Sequence, residues 1–144
     1  MKFIEIPNSG ELADEIIVDD FLREVVEATV NHYQRIGFAP PWVSYVGLED
    51  GLPVGVCGFK SQPVSGRVEI AYGTMPGHEG KGIATALASE LLRITRNEDE
   101  SLTVFAQTLP EQNASASILK KLAFTFAGVV DHPEDGTVWE WELR

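Results

Sequence analysis

The sequence predicts an α/β (α+β) protein with a mixed, mostly antiparallel central sheet of about seven strands and about four helices. Three observations lead there. Short alternating or β-branched runs recur between clusters of Gly, Pro, Asp and Asn. Amphipathic stretches carry apolar residues at helical spacing. The run Arg67 to Thr74 passes through a glycine loop and a helix to a second strand-like run, Leu102 to Gln107, which reads as a parallel crossover. The elements follow in the order β-α-α-β-β-β-α-β-α-β-β. With no internal repeat, low-complexity tract or linker, residues 1–144 read as one domain.

Lys2 to Ile6 alternates, and Pro7-Asn8-Ser9-Gly10 ends it as a short strand. Glu11 to Val18 is expected to form a brief helix. Asp19 or Asp20 then caps a longer helix with Leu22, Val25, Val26, Thr29, Tyr33 and Ile36 at helical spacing; Gly37 closes it and Pro40-Pro41 prevents its resumption. His32 on this helix has no second candidate ligand nearby and reads as a partly exposed structural residue. Trp42 to Leu48 and Pro53 to Phe59 form a hairpin through Glu49-Asp50-Gly51, and Arg67 to Thr74 adds a third strand. After the glycine loop, Ile83, Leu87 and Leu91 make one stripe of a helix with Ala84, Ala88 and Leu92 beside it. A short helix carries Ala114, Ile118, Leu119 and Leu122. Phe124 to Val130 and Thr137 to Leu143 make a last hairpin in which Trp139, Trp141 and Leu143 alternate with Glu140 and Glu142.

The stretch that carries chemistry is Met75-Pro76-Gly77-His78-Glu79-Gly80-Lys81-Gly82-Ile83-Ala84-Thr85-Ala86-Leu87. A strand-like run ends at a proline, a loop with three glycines follows, and an apolar-periodic helix begins at its end. First-turn amides have no intrahelical partner and the helix dipole favours an anion, so this is a place suited to phosphate. It is not a P-loop, because no Ser or Thr follows a Gly-Lys pair. Nor is it a dinucleotide fingerprint, because the third glycine or alanine slot is unfilled.

Composition narrows the partners. The formal net charge of −11 argues against nucleic acid and weakly favours cationic ligands such as amines. The single cysteine, Cys57, excludes an internal disulfide framework and a multi-thiolate metal site, and no metal is expected. It has no basic neighbour in sequence and reads as a small buried hydrophobe. No apolar run is long enough to span a bilayer and Met1 to Asp20 lacks a signal-peptide core, so a soluble cytoplasmic protein is expected.

Two stretches together resemble a known family. Val68-Glu69-Ile70-Ala71-Tyr72-Gly73-Thr74-Met75-Pro76 running into Gly80-Lys81-Gly82-Ile83-Ala84-Thr85 is one. Leu109-Pro110-Glu111-Gln112-Asn113-Ala114-Ser115 running into Leu119-Lys120-Lys121-Leu122-Ala123-Phe124 is the other. Over nearly its whole length the chain is similar to the GCN5-related N-acetyltransferase (GNAT) superfamily, in the style of its ribosomal-protein-acetylating branch. Gly82 and Ala84 fit the family's cofactor loop, but Glu79 stands where an Arg or Gln is usual. Gln112 fills a slot where relatives carry Asn, with Asn113 one position later. Leu119 stands where many relatives carry a Tyr proton donor, and Ala123 replaces a common glycine.

The resemblance implies acetyl transfer from acetyl-coenzyme A to a primary amine by direct attack in a ternary complex. The cofactor would lie on Tyr72, Gly73, Thr74, Met75, Gly80, Lys81, Gly82, Ile83, Ala84, Thr85, Gln112, Asn113 and Ser115. Ser115 is the candidate proton donor to the leaving thiolate. An amine must be neutral to attack, so a base is required, and Glu69 is the candidate: a carboxylate on a central strand is costly unless paired or used. Pairing with Arg67, two residues away on the same face, is the competing reading. Tyr72 could line the acceptor pocket or pack in the core. The resemblance places the acceptor against the first two helices and the last hairpin, near Trp42, Trp139 and Trp141. Peptide, polyamine, antibiotic and amino-acid amines all fit, and a homodimer is compatible. The alternative reading is a non-catalytic acyl-coenzyme A-binding or interaction module of the same fold.

Overall fold

The computed structural model describes residues 1–144. Its elements are β1 (Lys2–Glu5), α1 (Asp20–Ile36), β2 (Ser44–Glu49), β3 (Leu52–Phe59), β4 (Arg67–Thr74), α2 (Ile83–Glu98), β5 (Thr103–Thr108), α3 (Ala114–Lys121), β6 (Thr125–His132) and β7 (Gly136–Leu143). One seven-stranded sheet runs in the order β1-β2-β3-β4-β5-β7-β6. Every neighbouring pair is antiparallel except β4 with β5, the crossover that α2 makes.

The local signals hold where a named side chain or turn residue enforces them. Asp19 caps α1 by accepting from the Leu22 N–H at 2.8 Å, and the Gly37 N–H closes the helix on the Tyr33 carbonyl. Asp50 and Gly51 turn the β2–β3 hairpin with positive φ at both residues. The expected helix over Glu11 to Val18 does not form. The segment makes one turn, closed by the Ile16 N–H on the Ala13 carbonyl, and there are three helices rather than four. A helix this short needs a buried face to offset nucleation: α3, of equal length, buries Ala116 and Leu119, whereas no residue from 11 to 18 is fully buried. Leu12 and Ile16 reach the core margin from the irregular chain instead.

Registers fix which residues share a face, because directly paired residues point the same way. Gly55, Cys57 and Phe59 of β3 pair with Thr74, Tyr72 and Ile70 of β4, and this face is covered by α2. The approach is close. A Cβ at Gly55 would lie 2.7 Å from Leu87 Cδ1, so only glycine lets α2 settle there. Ile83, Leu87, Ala88 and Leu91 of α2 are buried against it. The opposite face carries Val56 and Gly58 of β3 and Ala71 and Gly73 of β4, and α1 lies over its β1–β3 half. Tyr33 of α1 ties down this side: its hydroxyl donates to the Ile6 carbonyl and accepts from the Ser44 N–H, both at 2.9 Å.

Ala123, just after α3, has a φ of 71°. That left-handed conformation costs a residue bearing a Cβ about 1–2 kcal/mol, which explains why a glycine suits the position. Ala123→Gly should therefore stabilise the protein by about 0.5–1 kcal/mol, the gain being trimmed by a freer unfolded chain. Urea denaturation of both proteins, with unchanged slope, checks it.

Candidate active site: an open helix end beside a parted strand pair

The crossover sets the geometry. β4 and β5 pair only from Arg67–Thr103 to Glu69–Phe105, after which the strands part although both continue. Glu69 and Met75 direct their backbone groups to β3, as the Lys60 N–H to Glu69 carbonyl and Met75 N–H to Val54 carbonyl bonds show. By alternation the Tyr72 and Thr74 N–H groups point the other way, into the gap where β5 no longer reaches. The parting therefore presents two donors at the heart of the sheet.

The loop after β4 delivers the chain to α2. Gly77, Gly80 and Gly82 all have positive φ, and no atom lies within 4 Å of where a Cβ would stand on any of them. Gly82 is the α2 N-cap in the left-handed conformation with no capping side chain, and no acid occupies the first turn. The Ala86 N–H reaches the Gly82 carbonyl, which leaves the amides of Ile83, Ala84 and Thr85 as the uncapped donors of the helix end. Glu79 braces the loop: its Oε2 accepts from the Gly77 N–H at 3.0 Å. Lys81 is exposed beside it. The residues present fit a pyrophosphate.

On the other side of the gap lies α3. Asn113 is its N-cap, with Oδ1 accepting from the Ala116 N–H at 2.9 Å, and half-buried Ser115 lies in its first turn. Gln112 Oε1 accepts from Lys120 Nζ at 2.7 Å, which draws it back along α3. Leu119 is fully buried in the core.

Glu69 sits on the open half of the α1 face. The register places Phe105 beside it, with Gln107, Glu140 and Glu142 following across β5 and β7. Arg67 does not pair with Glu69. Its Nη2 donates to Glu140 Oε2 and Glu142 Oε1, both at 3.0 Å, while its guanidinium lies 4.1 Å from the Phe105 ring centre. Glu69 is left half-buried with no ion pair, and burial pushes its carboxyl pKa up, with Lys60 opposing and Glu140 adding to the rise. The Arg67–Glu69 reading is thus overturned: β7 brings better-placed acids to the arginine.

The tryptophans do not wall this groove. Trp139 pairs with Thr108 and Trp141 with Ala106, on the face that α3 covers, and Trp141 Nε1 donates to Thr108 Oγ1 at 3.1 Å. Trp42 packs edge-on against Phe59 at 5.0 Å. Alternation sends Glu140 and Glu142 to the groove instead. The groove continues into a cavity of about 500 Å³ between α1 and β3–β4, lined by Val25, Thr29, His32, Arg35, Lys60 and Ala71 among others.

Two titratable groups lie buried on the α2 face. The Tyr72 hydroxyl is buried with no partner in the chain, and burial raises its pKa to about 12, so it keeps its proton. Cys57 is buried opposite Tyr72, and burial first, then Glu90, pushes its thiol up to about 12. A thiol that stays protonated is a poor nucleophile. Cys57→Ala should keep most of the activity at a packing cost of about 1 kcal/mol. Mass spectrometry during turnover should find no acetyl group on Cys57; finding one would overturn direct attack.

A strand parted from its parallel neighbour, leading through an uncapped glycine loop to a helix end, is the architecture of an acyltransferase fold. The family model of the acetyltransferase (GNAT) domain matches residues 3–125, and the chain belongs to that family. Among solved structures it is similar to RimL, a ribosomal L7/L12 alpha-N-protein acetyltransferase in complex with coenzyme A. That match has 18% identity and a TM-score of 0.67, over 88% of this chain and 73% of that one. An N-acetyltransferase from Staphylococcus aureus Mu50 matches at 21% identity and a TM-score of 0.65, over 84% and 76%. A putative acetyltransferase, yncA, from Salmonella typhimurium with acetyl-CoA matches at 24% identity and a TM-score of 0.62, over 88% and 74%. No curated protein matches the sequence.

Proposed function

We propose that this GNAT-family acetyltransferase moves an acetyl group from acetyl-coenzyme A to a primary amine by direct attack, with Glu69 as the base. The observation that carries the reading is the pairing of the uncapped α2 end with the parted β4–β5 strands, which together offer donors for a pyrophosphate and for a thioester carbonyl. Bound acetyl-coenzyme A supplies the activated acyl carbon and a thiolate leaving group. The amides of Gly80 to Thr85 and the Lys81 ammonium hold the pyrophosphate. Tyr72, Gly73, Thr74 and Met75 line the thioester arm, and the Tyr72 and Thr74 N–H groups face the carbonyl oxygen as it gains charge. Asn113, at the start of α3, would meet the cofactor from the other side of the gap, and Gln112 would do so on release from Lys120.

Glu69 takes a proton from the acceptor ammonium, directly or through water, and the neutral nitrogen forms the C–N bond as the C–S bond breaks. Ser115 gives a proton to the departing thiolate and is recharged from solvent, while the nitrogen's second proton passes to water as the amide forms and Glu69 releases the first to solvent before the next turnover. The half-buried, unpaired state of Glu69 supports this role, because a base must be free to accept.

Thiol release from acetyl-coenzyme A, measured against a panel of amines, tests the reading. Amine-dependent release is expected. Cofactor binding without release for any amine would favour the non-catalytic acyl-coenzyme A-binding module.

A further inference from the structure

The groove is electrostatically two-sided. Glu69, Glu140 and Glu142 line its β4–β7 side, with Arg67 neutralising part of the pair on β7. On the α1–β3 side stand His32, Arg35 and Lys60, all three lining the cavity. Acids outnumber Lys and Arg in this chain by 22 to 11, yet neither Arg35 nor Lys60 has a carboxylate within ion-pair distance.

The corner is built rather than loose. His32 Nε2 donates to the Lys60 carbonyl at 2.7 Å, since a carbonyl can only accept, and Nδ1 then faces Arg35 Nη2 at 3.4 Å. The Lys60 N–H in turn donates to the Glu69 carbonyl, so the basic corner is joined through one residue to the strand that carries the base. Extending the β3–β4 register by one pair puts the Lys60 side chain on the same face as Glu69.

We propose that the acceptor is a carboxylate-bearing amine, held by Arg35 and Lys60 at its anionic end while its amine lies over Glu69. This rests on the acetyl-transfer reading above and names its substrate class: a free amino acid, or a peptide whose first residue is acidic. A purely cationic polyamine would meet the basic corner with its far end.

The test is thiol release with paired substrates, amino acids against the same amino acids as amides. Charge-assisted contacts to a carboxylate should give the acids a kcat/KM about tenfold to a hundredfold higher. Arg35→Met and Lys60→Met should each erase most of that ratio, chiefly by raising KM for the acids. The ratio is the proper readout, because Lys60 also acts on Glu69 and affects both series alike. An acidic-first-residue peptide and its neutral counterpart form the second pair, read the same way. Equal rates within both pairs, preference for the amides, or a ratio untouched in both variants would overturn the proposal. Turnover of polyamines alone would overturn it while leaving acetyl transfer standing. Release with no amine of any kind, despite cofactor binding, would overturn acetyl transfer itself.

Discussion

Glu69→Gln is expected to lower turnover by about a hundred- to ten-thousandfold while leaving affinity for acetyl-coenzyme A unchanged. The substitution keeps size and hydrogen bonding and removes only basicity. The pH profile carries a second signature. Glu69 must be ionised to accept a proton, and burial raises its pKa, so the acid limb of kcat/KM should fall at a pH above the ordinary carboxylate range. The variant should lose that limb. The linkage runs the same way. A folded-state pKa raised above the unfolded value favours the neutral form, a contribution present below the unfolded pKa and lost as pH rises through the folded one. At neutral pH the ionised carboxylate therefore burdens the fold, and Gln should melt as high as Glu or higher. A lower melting temperature with full turnover would mean that the carboxylate serves structure and not chemistry.

Gly82→Asp should weaken acetyl-coenzyme A binding by roughly a hundredfold or more without unfolding the protein. Gly82 caps α2 at a φ of 76°, with open space where a side chain would stand. Aspartate tolerates the left-handed region better than most residues and caps helices well, so the stability cost is small. Its carboxylate would occupy the cradle and repel a pyrophosphate: a unit charge at 4 Å acts with about 4 kcal/mol at a surface-like effective dielectric. Circular dichroism should superimpose on the wild type while the cofactor affinity collapses.

Much of this was legible in the sequence because it is written locally. The cap at Asp19, the Asp50-Gly51 turn and the glycine loop each rest on residues a few positions apart, and each stands where expected. Apart from the Glu11 to Val18 helix, which does not form, the misreadings concern partners far along the chain. Arg67 and Glu69 share a face, but β7 returns some seventy residues later with Glu140 and Glu142 and takes the arginine. Alternation separates Trp139 and Trp141 from Glu140 and Glu142, but which set meets the groove depends on where α3 lies. Sequence leaves the direction of Glu79 open, and in the structure its carboxylate accepts from the Gly77 N–H. The parting of β4 from β5 has no local signal at all, and neither has the corner of His32, Arg35 and Lys60. Both exist only once the sheet is assembled.

The central claim is that the α2 end and the strand gap hold acetyl-coenzyme A. Titrating the cofactor into the intact protein by calorimetry tests it most directly. Saturable heat at one site per chain is expected, with a matching rise in melting temperature. The Gly82→Asp variant should need roughly a hundredfold more ligand, or more, for the same heat and the same rise. No heat and no thermal shift with the wild-type protein at millimolar ligand would contradict the account.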